Sequence, residues 1–122
     1  MALNRTVVVY GLAVAMLCVA TAMAHMRVQK TIPEDGAMLS ESPHHIQVWY
    51  TQAPDPAISQ LTLEGADGDV DLGDTKVVDD KSLMAMLPSA LRIGSYTVKW
   101  RTAGDDGHAQ RGDFMFTVRA AD

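Results

Sequence analysis

Four stretches of this chain alternate apolar and other side chains with a period of two, and that period decides what backbone can bury them. Ile46, Val48 and Tyr50 alternate with Gln47 and Trp49. Tyr96, Val98 and Trp100 alternate with Thr97, Lys99 and Arg101, and Phe114, Phe116 and Val118 alternate with Met115, Thr117 and Arg119. Leu61 and Leu63 follow Ile58 at short range. Neighbouring side chains of a strand point to opposite faces, so each run offers one apolar face to a core and one face to water. Turn formers separate the runs: Pro33-Glu34-Asp35-Gly36, Pro54-Asp55-Pro56, residues 65–68, Gly94 and residues 104–107. No stretch after His25 repeats at the helical period. About seven short strands predict an all-β, antiparallel sandwich of two sheets. Tyr50, Tyr96, Trp100, Phe114 and Phe116 are its expected inward aromatics. Leu91-x-x-Gly94-x-Tyr96-x-Val98-x-Trp100 predicts a tyrosine corner, in which a Tyr entering a strand bonds back across the preceding turn.

The runs all lie beyond residue 24, and the residues before it read as a secretory leader. Arg5 is the only charge in residues 1–24, residues 7–19 are apolar or small, and Ala22-Met23-Ala24 supplies small residues for cleavage. Cleavage after Ala24 exposes His25 as a new N-terminus and leaves one domain, residues 25–122. A cut starting the chain at Met23, or a retained membrane anchor, are the alternatives. Cys18, the one cysteine, lies in the leader behind Met16-Leu17, which does not suit lipidation. The exported domain therefore has no disulfide, zinc-thiolate site or thiol nucleophile. Export without disulfides suits a bacterial periplasm or cell surface.

The 122 residues carry 10 Lys and Arg against 15 Asp and Glu, a net charge of −5 with no basic block. That balance argues against a nucleic-acid partner. No Gly-x-Ser-x-Gly and no phosphate-cradling loop is present. Asp67-x-Asp69-x-Asp71 resembles a calcium loop only at its start. Leu72 stands where the loop needs Gly, and no Glu occupies its twelfth place, which excludes an EF-hand; residues 67–80 read as a hairpin with solvated turns, with a weak surface calcium site as the alternative.

The four histidines, His25, His44, His45 and His108, carry more information. A terminal His25 offers an α-amine and an imidazole that chelate one ion together. Asp106-Gly107-His108 places a carboxylate and an imidazole on one side of an extended segment, with Gly permitting a tight backbone. Three nitrogens and one oxygen make a square-planar set for one Cu(II) ion. His44 and His45 read as strand-edge surface residues, with an auxiliary copper site as the alternative. Met84 and Met86 share one face of a strand and could offer thioethers to Cu(I), against core packing for at least one face of residues 83–87.

Along nearly its whole exported length the chain resembles the CopC/PcoC-type periplasmic copper-binding proteins. The resemblance rests on His25 behind the leader, Pro33-x-Asp35-Gly36, Ile46-x-Val48-x-Tyr50 and Leu91-x-x-Gly94-x-Tyr96-x-Val98-x-Trp100-Arg101. It continues through Asp106-Gly107-His108 into Gly112-x-Phe114-x-Phe116-x-Val118. It implies a seven-stranded immunoglobulin-like barrel or sandwich and a non-enzymatic chaperone or buffer for copper resistance or import. It also implies a Cu(II) site of His25, Asp106 and His108, and a CopD-like inner-membrane permease as partner. The chain is expected to act as a monomer. Some members carry a methionine-rich Cu(I) loop, but residues 63–76 here contain no Met, so a Cu(II)-only protein is expected.

Two other classes compete. Copper monooxygenases also use a terminal His and a second His on a sandwich. They tend to be larger, and an Asp in the coordination plane opposes the reduction their chemistry needs. A metal-free interaction sandwich is the third reading, and whether the exported protein begins at His25 separates it from the others.

Overall fold

The computed structural model describes residues 25–121, so the leader expected at residues 1–24 lies outside the described residues. Among the described residues nine strands are formed and there is no helix. They are β1 (Val28–Ile32), β2 (Ala37–Leu39), β3 (His45–Tyr50), β4 (Gln60–Gly65), β5 (Gly68–Val70), β6 (Lys76–Val78), β7 (Ser82–Met86), β8 (Gly94–Ala103) and β9 (Ala109–Val118). One sheet has the order β1-β3-β7-β6, the other β2-β9-β8-β4-β5.

The all-β sandwich stands as expected, with two differences. The count exceeds seven because β2, β5 and β6 are three-residue strands, too short to show a period in the sequence. The sandwich is also not wholly antiparallel, since β2 runs parallel to β9. The turn at residues 33–36 carries the chain from one sheet to the other. Gly36 takes φ +81° there, and its N–H donates to the Met115 carbonyl at 2.7 Å, while the Asp35 carboxylate accepts from the Met115 N–H at 3.1 Å. Left-handed backbone favours glycine at that point.

Residues 67–80 are likewise not one hairpin. β4 and β5 pair across Gly65 and Gly68, and the chain then crosses to the other sheet as β6.

The alternating runs point where their period says. Ile46, Val48, Tyr50, Leu63, Leu83 and Val98 are each no more than 1% exposed, and Tyr96, Phe114 and Phe116 join them in the core. Tyr96 stacks on Phe116, and its hydroxyl donates to the Arg92 carbonyl at 2.7 Å, forming the tyrosine corner. Trp100 faces inward as expected but is less completely buried than the other four aromatics. It stands opposite Leu61 and meets Tyr50 edge-on at 5.5 Å, packed against the core but not fully closed off from solvent. Its indole lies across Gly112, its partner in β9, where β2 no longer covers the strand.

Candidate metal centre

The sequence candidates meet at one end of the sandwich. β8 and β9 form a long hairpin, paired from Gly94↔Val118 to Ala103↔Ala109, whose tip is residues 104–108. The Gly107 N–H donates to the Gly104 carbonyl at 3.1 Å with Gly107 at φ +74°, a conformation the Asp-Gly-His sequence supplies cheaply. Asp106 Oδ1 accepts the His108 N–H at 3.0 Å, an Asx turn that fixes the carboxylate relative to the following histidine.

The other oxygen is shared. Asp106 Oδ2 lies 3.3 Å from His108 Nδ1 and 3.6 Å from His25 Nδ1. Thus two imidazoles distant in sequence converge on one carboxylate oxygen. The bonds from His108, backbone first and then ring, hold the Asp106 carboxyl below its usual range, and the nearby imidazoles add to this. The three side chains remain open to solvent, with relative exposures of 67%, 40% and 84% for His25, Asp106 and His108. Among the described residues no three His, Cys, Asp or Glu side chains close around a common point as a finished coordination sphere. The imidazoles rest on the carboxylate instead.

What brings His25 to the hairpin was not read from the sequence. Met26 is 4% exposed and belongs to the core, so the residue after His25 pins the segment down. The Arg27 N–H donates to Thr51 Oγ1 at 2.9 Å and the Thr51 N–H to the Arg27 carbonyl at 2.9 Å, extending the β1–β3 pairing toward His25. Gln52 Oε1 accepts the Asp105 N–H at 3.2 Å, tying the hairpin tip to the same corner. A Cβ on Gly104 would meet that Gln52 oxygen and come within 3.3 Å of the Met26 methyl. An apolar Met beside the terminal His was the one available signal for this anchor.

His44 and His45 do not join this centre. His44 is exposed and His45 half-buried on β3, beside β7. Leu83 and Ala85 supply the core face of β7, leaving Met84 and Met86 on its outer face.

The chain is similar to several proteins of known sequence or structure. It is 26% identical over 126 residues to "Copper resistance protein C" of Escherichia coli, covering 96% of this chain and 98% of that one. It is 24% identical to "Protein YobA" of Escherichia coli K12 over 79% of this chain and 80% of the relative. The crystal structure of CopC from Methylosinus trichosporium OB3b superposes with a TM-score of 0.72 at 27% identity, covering 80% of this chain and 97% of that one. PcoC from Escherichia coli, described as a methionine-rich copper resistance protein, shares the fold with a TM-score of 0.70 at 24% identity, over 79% and 100% of the two chains. The CopC domain family model matches residues 28–119, the whole sandwich from β1 to the end of β9, and the chain belongs to the CopC family.

Proposed function

We propose that this protein is an exported, non-enzymatic copper carrier that holds one Cu(II) ion between His25, Asp106 and His108. The observation that carries the reading is the convergence of both imidazoles on Asp106 Oδ2, one from the start of the domain and one from the hairpin tip. Those donors suit the ion. Imidazole and carboxylate are harder than thioether, and with the amine of a terminal His25 they fill a tetragonal plane. His25 Nδ1 is the ring nitrogen that closes a six-membered chelate with its own α-amine, and it is the one turned toward Asp106. The open setting allows an ion to be taken up and passed on, as a chaperone or buffer in the periplasm requires. A CopD-like inner-membrane permease is the proposed recipient, in copper resistance or import, with the carrier acting as a monomer. The relatives named for copper resistance support this reading.

The test is N-terminal sequencing of the exported protein followed by Cu(II) titration. The reading expects a chain beginning at His25 that binds one equivalent tightly. It expects a loss of orders of magnitude in affinity for His25→Ala and for a chain with one extra residue before His25. Undiminished one-to-one binding by the extended chain would refute the terminal chelate.

A further inference from the structure

The outer face of the four-stranded sheet carries three donor side chains that neither the core nor the hairpin uses. In the β3–β7 ladder His45 stands opposite Met86, and Gln47 opposite Met84. The Leu87 N–H donates to the His44 carbonyl at 3.0 Å just outside the first pair, and the Tyr50 N–H to the Lys81 carbonyl at 2.8 Å at the far end. Bonds in those places make the outward-facing pairs the closely spaced kind, with Cα atoms ~4.5 Å apart. His45 and Met86 are then direct neighbours, and Met84 is the diagonal neighbour within reach of a long side chain. Met86 is 52% exposed, and Met84 and His45 are half-buried.

The His45 ring is also held in one tautomer. Ser82 Oγ donates to the Val78 carbonyl at 2.5 Å, so it must accept from Gln47 Nε2, 2.9 Å away. Gln47 therefore turns Oε1 toward His45 Nε2 at 3.2 Å, and that ring nitrogen carries the proton. Gln47 is 6% and Ser82 0% exposed, so the chain of bonds is fixed from inside the sheet. Nδ1 is left with its lone pair, the arrangement in which a second partner orients a metal-binding imidazole. Gly73, Asp74 and Lys76 line a pocket with Met84 and Met86, with Lys76 opposite Met84 in the β6–β7 ladder.

We propose that His45, Met84 and Met86 form a second metal site, for one soft monovalent ion, Cu(I) or Ag(I). One imidazole nitrogen and two thioethers favour such an ion over Cu(II), Zn(II) or Ca(II). The site lies on the sheet itself and draws nothing from residues 63–76. It does not depend on the proposed Cu(II) centre, and it replaces the expectation of a Cu(II)-only protein.

Met38, 60% exposed, and Met115, 51% exposed, are built-in controls, since each stands opposite a threonine and no histidine. The experiment is titration of the exported chain with Ag(I), read by the methionine methyl and histidine ring-nitrogen signals. The Met84 and Met86 methyls should shift together and saturate at one equivalent, with His45 Nδ1 moving and Nε2 staying protonated. Met38 and Met115 should not respond until Ag(I) is in excess. The double variant Met84→Leu, Met86→Leu should keep its amide spectrum and lose at least ten-fold in Ag(I) affinity, whereas His25→Ala should leave that affinity unchanged. Equal response from Met38, Met84, Met86 and Met115, wild-type affinity in the double variant, or loss of affinity in His25→Ala overturns the proposal.

Discussion

Asp106 shows how much a single side chain can organise. One oxygen accepts the His108 N–H, and the other touches both imidazoles. Asp106→Asn keeps an acceptor for the turn but puts an amide N–H₂, which cannot bind a cation, where the shared oxygen stood. Cu(II) affinity should fall at least about 10-fold, with the nitrogen hyperfine pattern in electron paramagnetic resonance retained. His108→Ala should instead remove one nitrogen from that pattern. Because the folded-state carboxyl is depressed, its contribution to ordering the tip is present above the unfolded value and fades only as pH falls through the lowered one. A carboxyl ¹³C titration of the metal-free protein should therefore place Asp106 below the usual aspartate range, and a midpoint within that range contradicts the turn as described. Tyr50 is the opposite case. Its hydroxyl is buried without a hydrogen-bond partner, and burial pushes its pKa up. Tyr50→Phe should be neutral or stabilising by about 1 kcal/mol, measured by denaturant unfolding. The stability due to the raised Tyr50 value is complete below the unfolded pKa of about 10 and declines above it. His25, Asp106 and His108 were legible because few donors exist and their spacing is short. Met26 and Gln52 were not, because their roles arise only from contacts with residues far along the chain.

At the scale of elements, the period-two signal located the strands that face a core on one side and was blind to the rest. β3, β4, β8 and β9 announce themselves because alternate residues are buried, as Ile46, Val48 and Tyr50 are. β2, β5 and β6 are held by their neighbours' ladders and by crossings between sheets, which leave no local pattern. The same gap explains Trp100. Its parity said inward, which holds, but alternation does not tell how fully an inward side chain is covered. Gly112 is the other half of this device, since a Cβ there would strike the rigid indole ring and not a flexible chain end. Gly112→Ala should thus cost about 1–3 kcal/mol by forcing the ring aside, with a red shift of tryptophan emission as Trp100 meets water. Trp100→Ala should fall at or below the low end of the ~3–5 kcal/mol typical of buried aromatics, because only part of the ring is covered. A glycine variant as stable as wild type would mean that the indole has another place to lie.

For the whole molecule, the proposed Cu(II) ligands bridge the segment before β1 and the β8–β9 hairpin, which Met26 and the Gln52–Asp105 hydrogen bond already bring to one corner. His25 precedes β1, an edge strand paired only with β3, whereas Asp106 and His108 sit on the hairpin of the other sheet. The core is complete without any of the three, since the buried residues from Met26 to Val118 include none of them. The metal-free protein should therefore fold cooperatively, and a chain that gains a dispersed spectrum only after Cu(II) addition contradicts this. Binding should then act as a clamp between the β1 end and the hairpin. A ligand that binds only the folded state at about 1,000 times its Kd adds ~4 kcal/mol, which in a domain of this size raises Tm by about 10 °C or more. Hydrogen exchange should slow most at residues 26–32 and 103–109, the segments that the ion joins, and least in the β4–β5 hairpin at the far edge of the sheet. A chain extended by one residue before His25 keeps every contact of the metal-free sandwich but loses the α-amine. Its metal-free Tm should match that of the chain beginning at His25, while its Cu(II)-induced rise should collapse. Equal rises in the two chains would place the stabilising ion somewhere other than the join between β1 and the hairpin.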